Sequence, residues 1–234
     1  MSMINRALTK MVILSGLLMA ASQANAITIT TPTPVSPIES IPGVTEFETH
    51  GDDMVGLVVT ATFFGGFSET EYWGGYGAGA GGVTGTTGTN GWSLSETGDT
   101  FTSPWTFLNN TGLALTSLVL DASEATGGGA IIFDRYTAGV QGTINSWQGK
   151  DIESTVDGIA TYSVQVGVGA AAPVGDLWHI LSMDFGTSGL SAESWTFVQD
   201  VDNDTRHDVP EPASIALMAL GLVGLGGMRR RVSN

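Results

Sequence analysis

The side chains able to do chemistry are few and unevenly spread. There is no cysteine, which removes thiolate metal sites, thiol nucleophiles and any disulfide frame. His50, His179 and His207 stand far apart with no H-E-x-x-H spacing, so a zinc centre has no support. His179 sits among core-type residues and reads as structural. No G-x-S-x-G and no phosphate-binding loop occurs. Carboxylates are plentiful, 23 Asp and Glu in all, so a glycosidase-type pair is conceivable, yet no spacing singles two of them out. The one ordered set lies in "DVDNDTRHDVPE". There Asp200, Asp202 and Asp204 alternate as hard oxygen ligands do at positions 1, 3 and 5 of a calcium loop, with Asp208 and Glu211 at positions 9 and 12. Thr205 stands where such a loop needs glycine, and no helical pattern flanks it. A candidate Ca²⁺ site at these three residues therefore competes with a plainer reading, a solvated acidic linker. No other cofactor is expected.

Tryptophan offers a second kind of chemistry, since an indole exposed on a sheet face can stack on sugar rings. Of the six, Trp178 and Trp195 lie in strand-like runs and belong in a core. Trp73 and Trp147 sit among Gly, Tyr, Ser and Gln and are the candidates for carbohydrate stacking.

Charge narrows the partners. Net charge is −15, and between Glu39 and Glu211 all 23 acids face only Arg135, Lys150 and Arg206, a balance of −20. Such a surface repels phosphate backbones and anionic headgroups and attracts cations, so nucleic acid is excluded as a partner.

Both ends read as addresses. Arg6 and Lys10 precede the apolar run Met11 to Ala21, and Ala24-Asn25-Ala26 has the small-x-small form of a secretory cleavage site. At the other end Pro210-Glu211-Pro212 precedes a largely apolar run of sixteen residues, Ala213 to Met228, and the cluster Arg229, Arg230 and Arg231. Sixteen helical residues reach about 24 Å against a hydrocarbon core of about 30 Å, a marginal span weakened by four glycines. The arginines hold their end in the cytoplasm, and the two prolines keep the tripeptide extended and accessible.

Tripeptide, short glycine-containing span and arginines, in that order, resemble the PEP-CTERM sorting signal over about the last 26 residues. The resemblance implies handling by an exosortase in a Gram-negative bacterium that makes extracellular polysaccharide. Pro210, Glu211 and Pro212 would then be the recognition motif that the exosortase reads. It says little about the domain in front.

That domain must supply the elements. "TPTPVSPIESIPG" is proline-rich and reads as an extended linker. "MVGLVVTATFF" before Gly65-Gly66, "LALTSLVL" after Asn109-Asn110-Thr111-Gly112, "YSVQVGV", "WHILSMDF" and "WTFVQDV" all read as strands. Period two puts Leu118 with Leu120, and Leu115 with Ser117 and Val119. "GGYGAGAGGVTGTTGTNG", residues 74–91, reads as a long low-complexity loop, and 151–156 is the only helical candidate. The expected fold is all-β, an antiparallel β-sandwich with jelly-roll topology one option, plus a signal helix and a short C-terminal transmembrane helix. The expected divisions are 1–26 signal peptide, 27–45 linker, 46–201 ectodomain, 202–209 acidic linker and 210–234 sorting signal.

The functional expectation is an exported, non-enzymatic protein, held transiently at the inner membrane and then placed at the cell surface or outside. Its business would be adhesion or exopolysaccharide association in a biofilm. The rivals are a carbohydrate-active enzyme and a purely structural matrix component.

Overall fold

Alternation builds the strands. Val58–Phe63 switches between half-exposed and buried at every residue, so one face can enter a core while the other meets water. The computed structural model describes residues 27–30, 44–45, 48–123, 125, 130–136, 149–167 and 173–204. The signal peptide with Ala24 and Ala26, Trp147, His207, the motif Pro210-Glu211-Pro212, the apolar span and Arg229 to Arg231 lie outside the described residues.

In chain order the strands are β1 (Thr28–Thr30), β2 (Val44–Thr45), β3 (Val58–Phe63), β4 (Phe67–Tyr72), β5 (Gly74–Gly77), β6 (Ala80–Gly85), β7 (Trp92–Thr97) and β8 (Trp105–Asn109). They continue as β9 (Leu115–Asp121), β10 (Ala130–Asp134), β11 (Glu153–Ser154), β12 (Ile159–Gly167), β13 (Pro173–Asp184), β14 (Ser194–Val198) and β15 (Val201–Asp204). A single 3-10 turn, Gly51–Met54, precedes β3, and no α-helix occurs among the described residues. One sheet runs β2-β15-β10-β13-β9-β3-β4, the other β11-β14-β8-β7-β6-β5. The long strand β13 joins the first sheet together: β12 pairs along one edge, while β10 and then β9 share the other. β1 adds to β12 in parallel, and every other pair is antiparallel. This is the all-β, two-sheet sandwich that the alternation predicts.

The core between the sheets is aromatic. Trp73 meets Trp105 at 5.1 Å between ring centres, Trp105 stacks on Phe197 at 5.4 Å, and Phe197 meets Trp195 at 5.4 Å. Trp195 in turn meets Phe107, which stacks on Trp92 at 5.7 Å. The first sheet answers with Val59, Ala61, Phe63, Leu118, Leu120, Leu181 and Met183. Pairs of this kind add about 0.5–1.5 kcal/mol each beyond area burial.

Glu69 ties the sheets at one edge. From β4 its Oε1 accepts from Thr86 N (2.8 Å) and Thr86 Oγ1 (2.9 Å). Its Oε2 accepts from Thr87 N (2.8 Å), Thr87 Oγ1 (2.6 Å) and Trp92 Nε1 (2.8 Å). Burial alone would raise this carboxyl, but the donors, led by the Thr87 hydroxyl, hold it down at about 2.

Five expectations need correction. Residues 74–91 are not a long loop, because β5 and β6 run through them. Glycine serves close approach here: a Cβ on Gly81 would collide with Gly51 O and with the Trp73 indole nitrogen, and one on Gly85 with the Trp92 indole. The stretch 27–45 is not wholly linker, since β1 and β2 lie in it, and the acidic stretch from 202 opens inside β15. The helical candidate at 151–156 holds β11 instead. Leu115 does not share the half-exposed face of Ser117 and Val119. The ladder slips between Thr62 and Phe63, so Phe63 pairs with Leu115 while Thr62 pairs with Ser117, and this bulge turns Leu115 into the core beside Leu118.

Candidate functional site

Trp73 does not serve as a stacking platform. It is 1% exposed, and its Nε1 donates to Gly51 O at 2.7 Å. The glycines around it in sequence do not open it to solvent, because they let β6 and the 3-10 turn close over the ring. Trp92, Trp105, Trp178 and Trp195 are buried as well.

The outer face of the first sheet has a different chemistry. Register aligns Thr70, Thr60, Val119, Ser182, Thr161 and Thr30 in one row across six strands. The next row is Ser68, Thr62, Ser117, Asp184, Ile159 and Thr28. All are half-exposed or exposed. Hydroxyls bond along the rows, Thr60 to Thr70 at 2.8 Å, Thr62 to Ser68 at 3.2 Å and Thr30 to Thr161 at 2.8 Å. At the β4 edge Tyr72 is 71% exposed, and Phe67 and Phe64 stand exposed at the β3–β4 turn. Threonines two apart are visible in the sequence of β1, Thr28 and Thr30, and of β3, Thr60 and Thr62. Their continuity depends on register, which a single strand does not reveal.

A second constellation lies inside. Asp134 ends β10, Asp176 stands in β13, Asp200 occupies the connection from β14 to β15, and Asp202 belongs to β15. All four are buried, Asp134 to 1%. One carboxylate oxygen from each of Asp134, Asp200 and Asp202 lies within 4.8 Å of the others. Burial, then the charges of Asp202, Asp176 and Asp200, drive the Asp134 carboxyl well above the usual carboxylate range.

The backbone around these acids is held firmly. Fully buried Gln199 donates from Nε2 to Asp134 O (3.1 Å), Lys150 O (3.2 Å) and Asp200 O (2.9 Å), and accepts from the Tyr162 hydroxyl. Asp134 N donates to Asp200 O at 3.2 Å. Thus Asp200 and Asp202 of the expected calcium set come together, but with Asp134 from a distant strand. Asp204 follows in β15 opposite Ala130. Sequence reasoning missed Asp134 and Asp176, although an aspartate adjoining Ile131-Ile132-Phe133 or Leu177-Trp178 is an available signal of a buried charge.

A separate buried acid, Glu96 on β7, is 1% exposed, and neither oxygen has a hydrogen-bond partner. Burial and then the charge of Asp99 push it up to about 8, with Asp52 adding to the rise. The Gly51 N–H, already donated to Gly79 O, offsets only part. Two cavities open on the surface. One of about 310 Å³ is lined by Asn90, Asn109, Asn110 and Glu193 among others, and one of about 440 Å³ by Phe63, Phe64, Thr116 and Asp184 among others. Each carries a single carboxylate.

Compared with known families, residues 208–231 match the PEP-CTERM protein-sorting motif. No curated protein and no solved structure matches the chain. The chain is a PEP-CTERM domain-containing protein, and the motif marks it for export toward the cell surface and for processing by an exosortase.

Proposed function

We propose that the ectodomain is a non-enzymatic surface or matrix module that associates with extracellular polysaccharide through the outer face of its nine-stranded sheet. Before processing, residues 213–228 hold the chain in the inner membrane. Afterwards the domain works at the cell surface or outside it, in an exopolysaccharide and biofilm setting.

The observation that carries this reading is the row Thr70, Thr60, Val119, Ser182, Thr161 and Thr30. Hydroxyls donate and accept, as sugar hydroxyls do, and a row held by sheet register loses little entropy on binding. Exposed Tyr72 adds a ring for stacking beside it.

The test is co-sedimentation of the purified protein with extracellular polysaccharide from its own host. Thr60→Val with Ser182→Ala keeps the packing and removes two hydroxyls from the row, and binding should fall about tenfold. Thr106→Val on the other sheet should leave it intact. Absence of binding by the wild type, or equal loss with Thr106→Val, overturns the reading.

A further inference from the structure

We infer that Asp134, Asp200 and Asp202, with Asp176 beside them, form a buried site for a hard divalent cation, calcium by size and ligand type, which fastens the last strand of the domain to β10. This goes beyond the polysaccharide reading and does not depend on it.

Acids gathered on a protein surface carry no such meaning, and this group differs in two respects. Asp134 is 1% exposed and its Oδ1 has no hydrogen-bond partner. A buried carboxylate oxygen in that condition costs several kcal/mol, by order of magnitude, unless a proton or a cation meets it. The wall at that oxygen also admits no side chain, since a Cβ on Gly149 would sit 1.9 Å from Arg135 O and 2.5 Å from Oδ1.

Among the described residues, the two bases nearest in sequence to Asp134 and Gly149 are engaged with other acids. Arg135 bonds Asp151 at 2.7 Å and lies over the Tyr162 ring, while Lys150 pairs with Glu153 at 3.4 Å. Oxygens within 4.8 Å of one another can share one ion, because Ca²⁺ sits about 2.3–2.6 Å from each ligand. Mg²⁺ demands about 2.0–2.1 Å and near-octahedral order, a poor match to carboxylates fixed on three separate elements. Asp202 of β15 and Asp200 just before it supply acids two residues apart, and Asp134 joins them from β10 across the ladder, where Ile132 pairs with Asp202.

The test uses the full chain, purified with EGTA and titrated with CaCl₂ and, in parallel, MgCl₂ at constant ionic strength. At a hundredfold excess over Kd, Ca²⁺ should raise the melting temperature by about 5–10 °C, and Mg²⁺ by much less. Asp134→Asn should abolish the Ca²⁺ response. In EGTA it should melt at or above the wild type, since an amide needs neither the proton nor the cation that the buried carboxyl requires. Asp121→Asn, on the outer face, should respond as the wild type does.

A readout without variants is Tb³⁺ luminescence sensitised by tryptophan, expected to saturate at one ion per chain and to be displaced by Ca²⁺. The proposal is overturned if Ca²⁺ gives no shift, if Ca²⁺ and Mg²⁺ act equally, or if Asp134→Asn responds like Asp121→Asn. Each of the last two results means diffuse screening of an acidic surface. Failure of Tb³⁺ to saturate overturns it as well.

Discussion

Glu69 is where a single atom pair holds the most, and its replacement gives a quantitative test of how the two sheets are joined. Glutamine keeps the shape but has one acceptor oxygen. With that oxygen in the Oε2 position it still takes Thr87 N, Thr87 Oγ1 and Trp92 Nε1, while its NH₂ faces Thr86 N, donor against donor. The flipped amide would strand Trp92 Nε1, whose residue is 1% exposed, so the first orientation wins. Thr86 is exposed and can turn its N–H to water, which limits the loss to the charge on the remaining bonds, about 1–2 kcal/mol. Alanine removes every acceptor and leaves the buried indole N–H alone, for about 2–4 kcal/mol.

The pH dependence of the same site has a fixed sign. The carboxyl is held at about 2 when folded and returns to about 4.3 when unfolded, so its contribution is complete above about pH 5 and is lost as pH falls toward 2. Unscreened, that difference is worth about 3 kcal/mol. Glu69 is half-exposed, and solvent screening brings the figure down to about 1–2 kcal/mol, in line with the bond count. Urea unfolding followed by tryptophan fluorescence should show Glu69→Gln less stable by that amount at pH 7, with the deficit shrinking at pH 3 and nearly gone at pH 2. A Glu69→Ala protein within about 0.5 kcal/mol of the wild type at pH 7, or a deficit independent of pH, would refute the reasoning.

Glu96 has the opposite sign. Held at about 8 when folded, it destabilises the protein increasingly as pH rises from about 4.3 to 8. Glu96→Gln should therefore raise the melting temperature at pH 8.5 and leave it nearly unchanged at pH 5, and parallel curves for the two proteins would contradict this. For the sorting signal, intact-mass measurement on protein recovered from the native cell surface should find neither residues 1–26 nor the Arg229–Arg231 tail. Glu211→Ala should leave that tail attached, and an arginine-bearing wild type at the surface would refute processing.

The strands were legible because their signal is local. Val58–Phe63 and Leu177–Asp184 carry period two in their own residues, and Asn109 announces its turn by accepting from Thr111 N and Oγ1. What stayed hidden depends on residues far apart in the chain. Glycine at 81 and 85 looks like a loop former until the Trp73 and Trp92 rings arrive against it, and Trp73 looks exposed for the same reason. Leu115 changes face through a one-residue slip that period two cannot register. The sorting signal was legible in full because an enzyme must read it as linear sequence.

The carboxylates follow the same division, and their placement bears on how the domain is held. Asp200 and Asp202 are visible as an alternating pair, whereas Asp134 joins them only through the β10–β15 ladder of four residue pairs, from Ala130–Asp204 to Phe133–Val201. β15 is short, and among the described residues its only partner besides β10 is β2, through two pairs. It is also the last described strand before the motif at 208–231, so tension on the C-terminal segment reaches the described domain through it. Backbone bonds in so short a ladder break one after another under such a pull. An ion shared by Asp202 and Asp134 links the two strands at once through groups that the pull must displace together. Removing the ion should consequently loosen β15 before it loosens the aromatic core, and amide exchange at 201–204 in EGTA, compared with Ca²⁺, should accelerate while exchange at Trp105–Asn109 does not.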